Sequence, residues 1–364
     1  MAQATSPATT VQAPPQSGPI PWRKATIRKR SLLATFNVAT LLGGNNPWEL
    51  ASKGYLAKIK LLWSGTETTA TADPAASADF PFNIGQRIEL RDNSGGMVVN
   101  AKGFSIAMAK RYFTSTKGTD LTAAGDIRIF RANITIIQAN NINFSHELSV
   151  EAGTRDNLGV LPNQNAAFKY TLTVTFDTVA NIVTTAANWA SSALVITPSM
   201  HYYTVPAPQR TDGLRQAVNP PFARIVRQVY DQNYNIAVAA ESPYQITTGK
   251  VIRNLIIVVR NSSNVRAGAL TRCKILYGDD TLLLDANEQD LIDEHFRLFG
   301  EVPPLGVYVI PFTADNDSFV GADYRRDILD TRRLSQLYMN LTFSATGNFD
   351  LIHDELIVPA GMSI

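Results

Sequence analysis

The feature that most constrains the fold is a pattern of short apolar strands and turns that occurs twice in the chain. Internal duplication predicts two similar units built in series, before any single motif is considered. Two all-β units in one chain indicate a structural protein more than a catalyst. In each copy a glycine opens a long apolar strand, and a polar break, a shorter strand and a turn follow; these segments lie at 54–63, 87–90 and 91–95 in the first copy and at 251–260, 274–277 and 278–280 in the second.

Strand signals recur along both halves of the chain. In the clearest strand, 170–176, Leu172, Val174 and Phe176 share one face and threonines share the other. This alternation is typical of a half-buried strand, and the regular spacing of strands and turns suits a β-sandwich. The further predicted strands are 31–42, 85–91, 97–108, 126–138 and 194–196 in the first half, and 223–230, 270–277, 281–284, 305–312, 336–344 and 349–358 in the second.

The chain length and two proline-rich stretches predict the domain organisation. At 364 residues the chain is long enough for two domains of roughly 150–180 residues each. Its first 21 residues carry no charge and too little apolar surface to order themselves, which predicts a disordered arm. The predicted segments are the arm 1–21, a basic segment 22–30, a first unit 31–205, a Pro-rich linker 206–221 and a second unit 222–364.

One helix is well specified, over residues 286–299. Asp285 can cap its start, with Glu288 three residues later as in a capping box. Gly300 is a natural C-terminal stop. The residues that fall on one helical face are Leu291, Ile292, His295, Leu298 and Phe299.

Composition excludes several classes of protein. Hydrophobic residues make up 45% of the chain and charged residues 18%, with a net charge of +2, so no bulk attraction to nucleic acid is expected. Cys273 is the only cysteine, so an intrachain disulfide is excluded and folding in a reducing cytoplasm is expected. We find no signal segment and no apolar run approaching the ~20 residues of a membrane span.

A basic segment follows the uncharged arm and is the candidate contact site. Its charges could bind the phosphates of nucleic acid or anionic lipid headgroups, with the tryptophan at the membrane interface. A solvated run of charge at a domain edge explains the same residues equally well. The candidate residues are Trp22, Arg23, Lys24, Arg28, Lys29 and Arg30.

The sharpest catalytic alternative is Tyr277-Gly278-Asp279-Asp280 between two apolar runs. Adjacent carboxylates at such a turn hold two Mg²⁺ ions in RNA-dependent polymerases and reverse transcriptases. A β-hairpin turn explains the same residues, and we favour it because the first copy has Arg91-Asp92-Asn93 at the matching turn.

Other catalytic and metal signatures are absent from the sequence. No two of the four histidines lie within ten residues of each other, and there is no His-x-x-x-His or Cys-x-x-Cys. Nucleophile and phosphate-loop motifs are missing as well. We therefore predict no catalytic residues, no metal and no cofactor, and interpret Cys273 as a buried small hydrophobe.

As a whole, the chain resembles the double jelly-roll major capsid proteins of tailless, membrane-containing double-stranded DNA viruses, such as the tectiviruses of bacteria. The resemblance is architectural and covers nearly all of 22–364. It rests on the duplicated strands, the Pro-rich junction, the basic N-terminus, the helix at 286–299 and the late strands around 306–312 and 337–343. It implies an all-β fold of two consecutive jelly rolls with a few short helices.

The resemblance also implies a function and partners. The chain would be a virion protein, made in the host cytoplasm, that forms pseudo-hexagonal homotrimers in an icosahedral shell. Its partners would be neighbouring capsomers, with minor capsid proteins, vertex proteins and an inner viral membrane as further candidates, and no sequence-specific nucleic acid. Trp22 to Arg30 would lie toward lipid.

Two alternatives to the capsid hypothesis remain at this point. A carbohydrate-binding or spike β-sandwich would need exposed aromatic side chains in a groove, for which Tyr202, Tyr203 and Trp189 are candidates. A metal-dependent enzyme would use Asp279 and Asp280.

Overall fold

The computed structural model describes residues 22, 26–38, 42–69, 77, 79–113, 141–151, 159–167, 169–182, 189–192, 194–205, 225–277, 281–312 and 328–359. Three predicted features, the arm 1–21, the strand 126–138 and the linker 206–221, lie outside these residues. The proposed domain boundaries therefore stay predictions.

The first half of the chain forms a unit of two facing sheets. One sheet has the strand order β1-β11-β4-β7, and the other contains the order β3-β9-β5-β6. The eight main strands are β1 (Arg28–Leu32), β3 (Asn45–Glu49), β4 (Tyr55–Thr69), β5 (Gly85–Arg91), β6 (Met97–Ala101), β7 (Asn141–Ser149), β9 (Thr171–Phe176) and β11 (Val195–Tyr203); the short strands β2 (Phe36–Asn37), β8 (Leu161–Pro162) and β10 (Trp189–Ser192) lie beside them.

The second half repeats this arrangement. Its sheets have the orders β12-β20-β14-β17 and β13-β19-β15-β16. The eight main strands are β12 (Val226–Ile236), β13 (Glu241–Ile246), β14 (Val251–Asn261), β15 (Leu270–Tyr277), β16 (Thr281–Asn287), β17 (Val307–Pro311), β19 (Leu337–Phe343) and β20 (Gly347–Ile357), with the short β18 (Leu329–Asp330) paired to β14.

Both units follow one topology. If the main strands of each unit are numbered one to eight, both units pair them as 1-8-3-6 and 2-7-4-5. Eight strands in two antiparallel sheets with these crossovers form a jelly roll. The fold is a double jelly roll, as the sequence predicted, and the duplicated segments 54–63 and 251–260 occupy the same place in the two rolls.

The two rolls are joined along a sheet edge. β6 of the first roll pairs in parallel with β12 of the second, Val99 opposite Val229 and Asn100 opposite Tyr230, which makes one nine-stranded sheet. Apolar side chains from the second roll, including Ile256, continue the core of the first roll. The two rolls therefore share buried surface and are not independent domains joined only by a linker.

The prediction of a strand over 97–108 is wrong in its second half. A strand ends at Ala101, and helix α1 (Gly103–Phe113) begins two residues later. The helix lies between the first roll and strands β12, β14 and β20 of the second. It is buried from Gly103 to Lys110, so its sequence lacks the polar face by which a helix is distinguished from a buried strand.

The second-half helix begins two residues later than predicted. After the single turn α2 (Val179–Ile182) in the first roll, α3 spans Glu288–Phe299, with Asn287 as its N-cap and Asp290 completing the capping box. The predicted cap Asp285 is instead within β16, where it accepts hydrogen bonds from Arg272. The predicted stop is confirmed, because Gly300 adopts the left-handed conformation with φ 70°.

Strands also form where the sequence predicted none. β3 begins at Asn45, directly after the chain reverses at Gly43, which has φ 78°. β7 and β13 were not predicted at all.

Candidate functional site

The predicted contact residue Trp22 is a buried anchor of the N-terminal segment. Its ring lies 4.8 Å from that of Tyr203 and 5.5 Å from that of Tyr55, in a cluster completed by Ala57 and Val160. Only 3% of the side chain is exposed. Burial of a tryptophan stabilises by several kcal/mol, so the chain is held against the first roll at this point. Arg23 and Lys24 lie outside the described residues.

The other three predicted residues lie together on the edge strand β1. Arg28, Lys29 and Arg30 are exposed and pair with β11 at Tyr203, Tyr202 and His201. Successive side chains on a strand point to opposite faces, so Arg28 and Arg30 share one face of the sheet and Lys29 lies on the other. Basic residues on an edge strand also discourage uncontrolled strand pairing.

Lysines on the next strands extend the positive face that Arg28 and Arg30 begin. Lys58 and Lys60 lie two strands away on β4, and Lys58 forms an ion pair of 2.6 Å with Glu147. Partial burial, together with the charges of Lys58, Arg28 and Arg30, lowers the pKa of His201 to about 4. We call Arg28, Arg30, Lys58 and Lys60 the basic face; all four lie on the sheet β1-β11-β4-β7.

A second polar feature is a set of buried ion pairs between the rolls. Asp350 of β20 accepts from Lys102 of the first roll at 2.7 Å and from Arg260 at 3.4 Å. Burial alone would raise the pKa of Asp350, but these two cations hold it below its usual value. Arg260 in turn contacts Asp79 of the first roll at 2.6 Å. Both rolls therefore contribute charges to one paired cluster.

The same strand carries a second buried group around Glu355. Its carboxylate accepts from Lys250 and Tyr230 at 2.8 and 2.9 Å, and His353 Nδ1 lies 2.9 Å from it. The Tyr230 and His353 rings stack with centroids 4.4 Å apart. The contacts of this group fix the packing of β12, β14 and β20.

Sequence reasoning missed these buried charges. A signal was present, because the predicted strand 349–358 contains Asp350, His353, Asp354 and Glu355 among apolar residues. Charged side chains in a buried strand need partners, but the partners come from residues up to 248 positions away.

Of the remaining residues that the sequence suggested for a site, some are buried and the others lie outside the part of the chain that the structure describes. Cys273 is fully buried, and burial raises the pKa of its thiol to about 12. Tyr203 is buried beside Trp22, and Tyr202 packs against the main core, so these two rings do not line an exposed groove. Asp279, Asp280 and the Trp189 side chain lie outside the described residues.

Metal clusters and membrane-spanning helices are both absent from the described residues. Among the described residues, no three His, Cys, Asp or Glu side chains are grouped so as to hold a metal ion. Within the same part of the chain, no helix is long and apolar enough to cross a membrane.

Comparisons with known proteins show similarity in fold alone. No family model matches the sequence, and no curated protein matches it. The structure is similar to that of the major capsid protein of Sulfolobus turreted icosahedral virus, with a TM-score of 0.68 and 17% identity over 92% of this chain and 100% of the other.

Two further solved structures have the same architecture. The PBCV-1 virus capsid structure aligns with a TM-score of 0.62 and 11% identity, over 91% of this chain and 93% of the other. The major capsid protein P2 of bacteriophage PM2 aligns with a TM-score of 0.52 and 11% identity, over 93% of this chain and 100% of the other. The predicted resemblance to double jelly-roll capsid proteins is thus confirmed as a likeness of fold.

Proposed function

We propose that this chain is the major capsid subunit of a virus with an icosahedral shell. The observation that carries the proposal is the edge-to-edge pair of jelly rolls, shared with a viral major capsid protein over 92% of the chain. Two equal rolls per chain supply two similar corners, so three chains give a pseudo-hexagonal trimer that tiles a shell. The proposed location is the virion shell, after synthesis in the host cytoplasm, and the protein would have no catalytic activity.

Oligomeric state tests this function directly. Purified chain should elute as a homotrimer by size-exclusion chromatography with light scattering, and negative-stain images should show pseudo-hexagonal particles. Obligate interfaces of this kind bury more than about 2,000 Å², so the trimer should persist at micromolar concentration. A stable monomer at high concentration would contradict the proposal.

We further propose that the basic segment faces an inner viral membrane. Anionic headgroups attract surface cations by ~1 kcal/mol each, and Arg23, Lys24 and Lys29 supply three cations of this segment that do not belong to the basic face. Co-sedimentation with vesicles containing phosphatidylserine should be lost in an Arg23→Gln/Lys24→Gln/Lys29→Gln variant. Lys169→Gln, just before strand β9 of the opposite sheet, is the control and should leave co-sedimentation unchanged. Equal pelleting of all forms would reject membrane contact.

A further inference from the structure

The strands that join the two rolls have exposed equivalents at the two outer edges of the molecule. Inside the chain, β6 of the first roll meets β12 of the second. The equivalent strands are β16 of the second roll and β1 of the first. We propose that β16 of one copy meets β1 of the next copy in the way that β6 meets β12, and that three such seams close the trimer. This inference rests on the proposed function.

The equivalence of β6 and β16 follows from a shared irregularity. The pairing of β5 with β6 has a register shift at Val98, so this residue is passed over and has no opposite residue on β5. The pairing of β15 with β16 has the same kind of shift at Leu283, which is passed over in turn. In each roll a helix begins five residues after the residue that is passed over. Both criteria give the same matches, which are Met97 with Leu282, Val98 with Leu283, Val99 with Leu284 and Asn100 with Asp285.

The equivalence of β1 and β12 follows in the same way. Ala57 is passed over in the pairing of β4 with β11, and Arg253 is passed over in the pairing of β14 with β20. Matching the rolls at these two residues makes His201 equivalent to Asp354. Their partners on the edge strands are then Arg30 and Val229, followed by Ser31 and Tyr230.

These matches place particular residues opposite each other across the seam. Inside the chain, Val99 lies opposite Val229 and Asn100 opposite Tyr230. When this register is transferred to the proposed seam, with each residue replaced by its match in the other roll, Leu284 of one copy lies opposite Arg30 of the next. The same transfer puts Asp285 opposite Ser31, directly beside Arg30.

Exposure of apolar side chains supports a covering partner at both edges. Val98 is 4% exposed beside the junction inside the chain, whereas its equivalent Leu283 on β16 is 40% exposed. Leu282 is 50% exposed, and its equivalent Met97 is exposed as well, at 37%. On β1, Leu32 is 61% exposed. Native proteins rarely leave an apolar edge strand open, because such strands associate.

Charge selects a second copy of this chain as the partner. Helix α1, which follows β6, packs against β12, β14 and β20 of the second roll. The equivalent helix α3 carries four carboxylates and one arginine. The equivalent surface, formed by β1, β4 and β11, is the basic face. Opposite charges on the two surfaces favour a head-to-tail contact between copies, and such a contact closes into a ring when the rotation from one copy to the next is that of a closed symmetry.

Disulfide trapping tests the predicted register. In a Cys273→Ala background, Arg30→Cys combined with Leu284→Cys should give covalent trimers on a non-reducing gel after oxidation with copper phenanthroline. A disulfide requires Cα atoms within about 7 Å. The matched control combines Arg30→Cys with Leu305→Cys, an exposed residue of the second roll outside β16, and should give no covalent trimer.

Charge reversal provides the second readout. Arg30→Glu with Lys60→Glu should weaken trimer association at least tenfold by light scattering, and adding Asp293→Lys and Glu294→Lys should restore it. If the wild-type chain is a trimer but neither trapping nor charge reversal has these effects, the seam is wrong and the proposed function stands. A monomeric wild-type chain would overturn both.

Discussion

Arg227 and Asp354 form a two-point ion pair in the interior of the protein. Arg227 Nε lies 2.7 Å from Asp354 Oδ1, and Nη2 lies 3.1 Å from Oδ2, with the two side chains 2% and 0% exposed. Arg227 also donates to the carbonyl of Ser149 in the first roll, at 2.9 Å, and Arg253 donates to the same carboxylate at 2.9 Å. One buried acid therefore balances two guanidinium groups beside the junction between the rolls.

Removing this carboxylate is expected to destabilise the protein strongly. Asp354→Ala leaves Arg227 and Arg253 buried without their shared counter-charge, and breaking a buried pair in this way costs about 3–5 kcal/mol. Urea denaturation followed by fluorescence measures the loss. Glu49→Gln, which removes an exposed ion pair with Lys169, is the control and should leave the midpoint unchanged. Equal midpoints for both variants would refute the role of Asp354.

Acid should destabilise the folded chain through His146. Burial is the main reason why the pKa of His146 falls to about 3, whereas the unfolded value is about 6.5. The unfolded chain therefore binds a proton that the folded chain does not, and stability falls as the pH drops from about 6.5 towards 3. His146→Phe, which suits the aromatic rings around it, should retain about 2 kcal/mol more stability than wild type on going from pH 6.5 to 4.5.

Urea denaturation at several pH values measures this difference. Burial also lowers the pKa of His295 to about 4, so the variant should show a reduced slope of stability against pH rather than none. Parallel curves for wild type and His146→Phe would rule out a contribution from this histidine.

The thiol of Cys273 should be unreactive in the folded protein. Burial raises its pKa to about 12, and the thiolate is the nucleophile. Ellman's reagent should label Cys273 only after urea unfolds the chain. Val302→Cys in a Cys273→Ala background places a thiol at an exposed site and should react at once. Rapid labelling of native wild type would show that the strand β15 opens readily.

Loss of the Trp22 ring should release the N-terminal segment. Trp22→Ala removes the contacts with Tyr55 and Tyr203, and each 1.4 kcal/mol of lost local stability raises the open population tenfold. Trypsin should then cleave after Arg28 and Lys29 at least ten times faster than in wild type, as measured by mass spectrometry. Trp22→Phe keeps an aromatic ring and should cleave at close to the wild-type rate. Unchanged cleavage of Trp22→Ala would mean that β1 is held without this anchor.

The sequence was most informative where one face of a strand is buried. The alternation in 170–176 correctly predicted β9, and the apolar run 251–260 correctly predicted β14. It was least informative at α1, which is buried between two rolls and has no polar face. It also misassigned the helix cap to Asp285, because the sequence does not show how far β16 extends before the helix begins.

The sequence by itself determined that the protein is a duplicated all-β chain with a basic N-terminal segment, because strand period and turn residues are local properties. Only the tertiary structure decided that the two rolls share a nine-stranded sheet, that Trp22 is an anchor and that Lys102 and Asp350 are partners. These relationships depend on which distant strands become neighbours, and burial then decides which charges must be paired.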